Sequence, residues 1–213
     1  MLKSRLMRVA LRGTLAAAFL VSPAALWAQQ RYVITTVVGT GTPRFDGDDG
    51  SATSAEINSP FGVTLSKDGA IIIADQINQR IRKVSGGTIT TIVGTGYAGL
   101  SDDDTTTPTE ATMTYPTSVT YDSSGNLFIV DTNNNCIRKV STDNKITRLV
   151  GTGTAGYTAL QDYNPSGDDD GDGTINSEDT DWKPTEAVDA LLNYPIGVAV
   201  ASDGSIYIAD TKN

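Results

Sequence analysis

A repeated segment is the feature of this sequence that most limits how the chain can fold. Three stretches align without gaps from residues 59, 115 and 194, reading SPFGVTLSKDGAIIIADQIN, YPTSVTYDSSGNLFIVDTNN and YPIGVAVASDGSIYIADTKN. In each stretch the same aspartate closes a run of apolar residues, at Asp75, Asp131 and Asp210. This regularity predicts a repeat architecture, in which each unit buries its apolar surface against its neighbours.

Each unit contains four short runs with the composition of β-strands. In the first unit the runs are residues 61–65, 70–74, 80–84 and 88–93, which are rich in Ile, Val and Thr and are separated by turn residues. Four antiparallel strands cannot bury both faces of a sheet alone, but radial packing against neighbouring units does so. We therefore predict an all-β fold, a β-propeller of four-stranded antiparallel blades.

The third run of each unit alternates apolar and basic residues, reading RIRKV in the first unit and CIRKV in the second. This alternation predicts a half-exposed outer strand, with Arg82 and Arg138 solvated or paired with nearby acids. We expect Cys136 to be buried as a small apolar side chain, and an odd thiol is the alternative. The recurrent aspartates are expected to stabilise turns, because a residue present in every unit serves the geometry that all units share.

These motifs resemble a known repeat family. The segments GVTLSKDGAIIIADQINQRIRKV and SVTYDSSGNLFIVDTNNNCIRKV resemble NHL repeats, and the linker before the first of them resembles the connector of bacterial exported NHL proteins. The resemblance implies a propeller, commonly of six blades, closed by pairing of strands from the two ends of the chain. On this basis residues 32–41 form a closing strand, 57–96 and 113–153 are blades, and 192–213 is an incomplete blade.

The number of repeats is too small for a closed ring. Residues 29–213 contain about two and a half to three blades, and an open repeat array leaves sheet faces and strand edges uncovered. We interpret the chain as a fragment of a six-bladed ring, with the missing C-terminal blades belonging to the same chain. Assembly of several chains into one ring is the alternative.

Residues 1–28 have the composition of a secretory signal peptide. Four basic residues precede an apolar stretch, 15–27, that Ser22 and Pro23 interrupt. Such a stretch is short for a membrane span, so we expect cleavage after residue 28 rather than an uncleaved anchor. The mature chain is then exported to the extracellular space, the cell surface or the periplasm, with no membrane insertion after cleavage.

Charge and composition remove several classes of function. Without the predicted leader, 16 − 4 = 12 basic residues face 25 acidic residues, and this negative field makes nucleic acid a poor partner. The chain has no histidine, which excludes a Ser-His-Asp triad and an HExxH zinc site in this sequence. We assign no catalytic residue and no organic cofactor.

An acidic insertion at 162–182 carries the clearest ligand chemistry. The third connector, from the GTG glycine to the repeat proline, spans 195 − 151 = 44 positions, against 116 − 94 = 22 for the second. Within the insertion, DDDGDGTINSED places oxygen ligands and a glycine at the spacing of an EF-hand calcium loop. The predicted metal ligands are Asp168, Asp170, Asp172, Thr174, Asn176 and Asp179.

The loop resembles the calcium loops of dockerins and of thrombospondin type 3 repeats, because its last ligand is Asp. The resemblance implies a structural Ca²⁺ that stiffens a long connector, without implying cohesin binding, since no second loop is present. A solvated acidic linker is the alternative.

These features favour a binding protein over an enzyme. We expect an exported NHL-type propeller that acts as an interaction scaffold, with an unidentified protein or glycan ligand on its connectors or at the mouth of its central channel. The alternative is a propeller enzyme, such as a lyase or a lactonase-like hydrolase, whose catalytic residues lie in the missing blades.

Overall fold

The computed structural model describes residues 4–11, 32–101, 107–157 and 187–213, with residues 4–11 described by their backbone alone. All of its extended elements are β-strands, joined by turns and short 3₁₀ segments. The strands are β1 (Ser4–Leu11), β2 (Tyr32–Gly41), β3 (Pro60–Leu65), β4 (Ile71–Asp75), β5 (Arg80–Ser85), β6 (Thr88–Val93), β7 (Pro116–Tyr121), β8 (Leu127–Asp131), β9 (Cys136–Val140), β10 (Ile146–Val150), β11 (Pro195–Val200) and β12 (Ile206–Asp210).

The strands form two complete sheets and two pairs. The first blade has the order β3-β4-β5-β6 and the second has β7-β8-β9-β10, both antiparallel throughout. The trailing pair, β11-β12, repeats the two innermost strands of a blade. The leading pair, β1-β2, precedes the first blade.

The blades pack face to face and share their apolar cores. One core joins Ile72, Ala74 and Ile81 of the first blade to Val119 and Ile129 of the second. A smaller core joins the second blade to the trailing pair in the same way. Neighbouring sheets thus bury each other's faces, and the predicted all-β propeller architecture is confirmed.

The outer part of the first blade is covered from the other side. Val38 of β2 packs with Ile57, Ile73 and Ile89, in the place that Val93 takes against the second blade. β2 therefore has the position of the fourth strand of a preceding blade.

The pairing of β1 with β2 repeats the pairing of β5 with β6. Val9 pairs with Ile34 as Val84 pairs with Ile89, and the register shifts at the corresponding place in both pairs. β1 lies within the predicted signal peptide, and it occupies the third-strand position beside the predicted closing strand. The signal peptide and its cleavage stay predictions.

The third strands differ from the sequence-based expectation. Arg82 and Arg138 were predicted to lie on a half-exposed strand, solvated or paired with nearby acids. Both side chains are fully buried, so the predicted exposure is wrong. The pairing with acids is confirmed. The alternation in the sequence does not reveal this burial, because residues from distant connectors cover the strand. The expected burial of Cys136 is confirmed. Within the described ranges, no helix is long and apolar enough to span a membrane.

Candidate binding face

The antiparallel order brings the long connectors and one set of turns to the same side of the molecule. Pro60 pairs with Asp75, and Ile81 pairs with Val93, so these strand ends share one edge of the first sheet. The second sheet and the trailing pair repeat this order. We call this side the connector face; it comprises residues 42–59, 94–101, 107–115, 151–157 and 187–194 and the turns 76–79, 132–135 and 211–213.

A carboxylate supports the connector face in every unit, fully buried at Asp75 and Asp131 and half-buried at Asp210. Oδ1 of Asp75 accepts a hydrogen bond from the backbone N–H of Asn58 at 2.7 Å, and Oδ2 accepts one from Nδ2 of Asn78 at 2.9 Å. One aspartate thereby ties the connector, the end of β4 and the following turn together.

The same arrangement recurs in the other two units. Asp131 accepts bonds from the backbone N–H of Thr114 at 2.7 Å and from Nδ2 of Asn134 at 2.8 Å. Asp210 accepts bonds from the backbone N–H of Asn193, at 2.7 Å, and from Asn213. The recurrent aspartates therefore hold turns in place, as predicted, rather than forming a reactive cluster.

Arg82 links this support to the acidic tip of the first connector. Its Nη1 lies 3.2 Å from Oδ2 of Asp75, and its Nη2 lies 2.6 Å from Oδ1 of Asp48. The other oxygen of Asp48 accepts a hydrogen bond from Oγ1 of Thr91 at 2.6 Å. Asp48, in the acidic segment 46–50 of the first connector, is thus an internal partner of a buried arginine.

Burial sets the electrostatics of this network. Desolvation raises the pKa of Asp75, while hydrogen bonds from Asn78 and from the Asn58 amide, together with Arg82, oppose the shift. Burial also lowers the pKa of Arg80, assisted by the positive charge of Arg82. A guanidinium has so high an ordinary pKa that it stays charged.

Side-chain amides connect each unit to the next at the inner edge of the connector face. Oε1 of Gln79 accepts a hydrogen bond from the backbone N–H of Tyr115 at 2.6 Å. Oδ1 of Asn135 accepts the equivalent bond from Tyr194 at 2.9 Å. These bonds fix the residue just before each inner strand to the preceding blade.

The residues held in this way have left-handed backbone conformations. Tyr115 and Tyr194 both have φ of 57°, and Ser59 at the equivalent position of the first blade has φ of 51°. For a bulky side chain this conformation is unfavourable, and it persists where the surroundings fix it. The two tyrosines are therefore presented at repeated, rigid positions where the inner strands begin.

Exposed aromatic side chains mark the connector face. The aromatic set consists of Phe45, Tyr97, Tyr115, Tyr157 and Tyr194. Tyr97 and Tyr157 are the most open, with 77% and 68% of their surfaces exposed. Two of the rings make cation–π contacts. Cζ of Arg80 lies 3.7 Å from the ring centroid of Phe45, and Nζ of Lys212 lies 4.1 Å from the ring centroid of Tyr194. The face offers flat apolar surfaces beside hydrogen-bonding groups, which suits it to binding.

The predicted calcium ligands cannot be compared with this geometry. Asp168, Asp170, Asp172, Thr174, Asn176 and Asp179 all lie outside the described residues. Among the residues that the structure does describe, no group of three or more Cys, Asp or Glu side chains is arranged to hold a metal ion. The calcium site stays a prediction.

Sequence reasoning did not single out the aromatic set or the amide bonds between blades. Tyr115 and Tyr194 were treated as part of the repeat signature because each precedes the repeat proline. The useful signal was the concentration of tyrosines in connectors, where a turn-stabilising role does not require an aromatic ring.

Comparison with known proteins supports the repeat assignment. The NHL repeat model matches residues 113–140, which include β7, β8 and β9 of the second blade, and residues 192–213, which include both strands of the trailing pair. The chloroplastic protein SUPPRESSOR OF QUENCHING 1 of Arabidopsis thaliana is 32% identical over 99 residues, covering 46% of this chain and 9% of that protein. The chain therefore spans only a small share of that relative's length.

Two solved structures share the fold. A protein of unknown function from Bacteroides thetaiotaomicron superposes with a TM-score of 0.58 and 18% identity, covering 85% of this chain and 37% of that one. An auxiliary nutrient binding protein from the same species gives a TM-score of 0.52 and 16% identity, with coverage of 86% and 39%. These similarities show the fold, a β-propeller, and two segments of the described sheets match the NHL repeat.

Proposed function

We propose that this chain is an exported binding scaffold whose connector face takes a neutral glycan. The observation that carries the proposal is the aromatic set, exposed on one side of the propeller and standing on a buried network of hydrogen bonds. A pyranose ring has an apolar C–H face that packs on an aromatic ring, and its hydroxyl groups bond to neighbouring polar groups. Exposed tyrosines beside amides and carboxylates offer both kinds of contact.

Rigidity at Tyr115 and Tyr194 favours this role. Their backbones are fixed by Gln79 and Asn135, so little conformational entropy is lost when a ligand orders the rings. The acidic charge of the chain disfavours polyanionic ligands and leaves uncharged sugars unaffected. One structure of similar fold is described as a nutrient binding protein, which agrees with a binding role.

Export and calcium belong to the same proposal. Residues 1–28 are proposed to direct export, and the loop Asp168–Asp179 is proposed to bind one Ca²⁺ that stiffens the third connector. Outside the cell calcium is abundant enough to fill even a weak site of this class. The ion then has a structural role next to the connector face.

The glycan proposal is tested with soluble xylan, mannan and β-1,3-glucan as probes. Affinity electrophoresis and calorimetry with the wild-type protein should detect binding of at least one of them. The double variant Tyr115→Ala/Tyr194→Ala should weaken that binding about tenfold or more, because it removes two stacking surfaces. Tyr32→Ala, which removes an exposed tyrosine of β2 away from the connector face, is the matched control.

Three outcomes would contradict the glycan proposal. They are the absence of binding to every polysaccharide, an equal loss with the control variant, and release of sugar products during incubation. The last result would favour the enzyme alternative.

Calcium is tested by titration of the full chain followed by thermal unfolding. We expect one saturable site and a higher unfolding temperature with calcium than with a chelator, because an ion that binds the folded state stabilises it by mass action. Asp168→Ala/Asp172→Ala should abolish both effects. Asp102→Ala/Asp104→Ala removes equal charge from the second connector and should leave them unchanged. Absence of binding at millimolar calcium would refute the site.

A further inference from the structure

The inner strands of neighbouring blades contact each other close to the connector face. Oγ1 of Thr117 in β7 donates a hydrogen bond to the carbonyl of Ile196 in β11 at 3.1 Å. In the interface before it, a Cβ added at Gly62 of β3 would lie 2.4 Å from the carbonyl oxygen of Thr117. The three inner strands β3, β7 and β11 therefore stand side by side.

The residue just before each inner strand occupies the same place in every unit. These residues are Ser59, Tyr115 and Tyr194, with φ of 51°, 57° and 57°. Thr117 and Ile196 each lie two residues beyond a tyrosine, about 7 Å along an extended strand. The contact between their strands thus brings Tyr115 and Tyr194 to adjacent places on the connector face, one in each blade. We call these two residues the tyrosine row.

The exposure of the tyrosine row does not come from an uncovered sheet. Tyr115 lies between the first blade and the trailing pair and is 39% exposed, while Tyr194 has a described neighbour on one side alone and is 37% exposed. Equal exposure in unequal surroundings shows that both rings project from the ends of the strands. Nζ of Lys212 lies 4.1 Å from the ring centroid of Tyr194 and occupies one side of that ring.

We propose that the two tyrosines are subsites of one site, which binds a linear neutral oligosaccharide across the ends of the inner strands. This inference rests on the proposed binding of a glycan and adds the form of the ligand, a chain rather than a single sugar. A pyranose and a phenol ring are similar in size, so one sugar unit covers one tyrosine. Packed sheets lie about 10 Å apart, so another unit of the same chain reaches the second tyrosine.

Ser59 ends the tyrosine row at the first blade. It has the left-handed backbone conformation of the two tyrosines but carries no ring. The same conformation holds a tyrosine in two other units, so Ser59→Tyr places a third ring on a backbone that already has the required geometry. The substitution should therefore lengthen the site by one subsite.

Calorimetry of the full chain with xylose, xylotetraose and xylohexaose, and with the corresponding sugars from mannan and β-1,3-glucan, tests the inference. In at least one series the tetrasaccharide should bind at least about tenfold more tightly than the monosaccharide, because contact with the second tyrosine is then intramolecular. Tyr115→Ala and Tyr194→Ala should each lose most of this gain, and the double variant should lose little more. Thermal unfolding checks that each variant is folded.

Ser59→Tyr tests the same inference by a gain of affinity. It should tighten binding of the hexasaccharide by about threefold or more and leave the affinity for the monosaccharide unchanged, since only a long chain reaches all three rings. Ser124→Tyr adds the same side chain to an exposed turn at the opposite side from the connectors. This matched control should change neither affinity.

Three results would overturn the inference. Equal affinity for monosaccharide and tetrasaccharide, or additive losses in the two alanine variants, would show two independent sites for single sugars, and glycan binding itself would stand. The same hexasaccharide affinity in Ser59→Tyr and Ser124→Tyr would show that the site does not follow the inner strands. If no sugar of any length binds, this inference and the proposed function both fail.

Discussion

In the first and second blades, arginines from different strands donate a hydrogen bond to the equivalent connector carbonyl. In the first blade Arg80, the first residue of β5, donates a hydrogen bond from Nη2 to the carbonyl of Thr95 at 2.5 Å. The second blade has Cys136 at that position, and there Arg148 of β10 donates from Nη1 to the equivalent carbonyl, that of Thr152, at 2.6 Å.

Both blades thus make the same hydrogen bond, from an arginine to the carbonyl of the connector threonine, but the arginine stands at different positions of the repeat. The carbonyls of Thr95 and Thr152 lie where each connector leaves its outermost strand, and each accepts a guanidinium N–H. The Arg148 position is occupied by Thr91 in the first blade, where the smaller side chain bonds to Asp48 instead. In an alignment, the change from Arg80 to Cys136 and the change from Thr91 to Arg148 look unrelated. In the structure, the arginine of one position replaces the arginine of the other.

Other parts of the two blades are the same. Arg82 and Arg138 are both fully buried, and each lies close to a buried aspartate, at 3.2 Å from Asp75 and 3.8 Å from Asp131 respectively. The two blades therefore share the buried arginine–aspartate pair, which we call the common centre, and differ in the arginine that bonds to the connector.

The largest expected effect tests the common centre. Arg82→Met and Arg138→Met each leave a buried carboxylate without its cation, and each should lower the free energy of unfolding by about 3–5 kcal/mol. Urea unfolding followed by circular dichroism measures the change. Lys83→Met, on the same strand but partly exposed, is the control and should have little effect. If either arginine proved dispensable, the two blades would not share this centre.

A smaller effect tests the exchanged arginine. Arg148→Thr removes a charged hydrogen bond and should cost about 1.5–3 kcal/mol. Adding Cys136→Arg to that variant should restore part of the loss, because it rebuilds the arrangement of the first blade. Recovery should be incomplete, since Leu100 stands where Phe45 stacks on Arg80 in the first blade.

A double-mutant cycle of urea unfolding measures the coupling between these two sites. Cys136→Arg alone should be destabilising, as it adds a buried charge near Arg148. Additive effects of the two substitutions would show that the exchange is coincidental.

The smallest effect concerns the spacing of the inner strands. A Cβ added at Gly62 would lie 2.4 Å from the carbonyl oxygen of Thr117 in the next blade, whereas one at Gly197 would lie 3.4 Å from Cβ of Ala209. Gly62→Ala should therefore destabilise the protein by about 1–3 kcal/mol, and Gly197→Ala should change it little. Thermal and urea unfolding of the two variants measure this, and equal effects would contradict the difference in spacing.

Local patterns in the sequence predicted the strands and the role of the aspartates. The repeat register, the runs of Ile and Val and the turn residues are properties of neighbouring positions. Asp75 could be assigned to a turn because it recurs with Asn78 three residues later.

The same patterns failed at Arg82, because burial there depends on distant contacts. One partner, Asp48, lies 34 residues earlier in the chain, so the strand's own alternation cannot reveal it. The exposure of Tyr115 and Tyr194 on the proposed binding face was also not predicted, because it follows from the way the blades pack. The predicted calcium ligands belong to a local motif, and their assignment still rests on the sequence.

The hydrogen bonds at the base of the third connector make it a natural site for grafting. The amide of Gly151 donates to the carbonyl of Ala187, and that of Thr152 donates to Ala190, as Gly39 and Thr40 donate to Ala52 and Ala55 in the first connector. The first hydrogen bond of each pair joins residues that are 187 − 151 = 36 positions apart in the third connector and 52 − 39 = 13 positions apart in the first. A foreign peptide or a small domain placed between residues joined in this way should be displayed without disturbing the sheets beneath it.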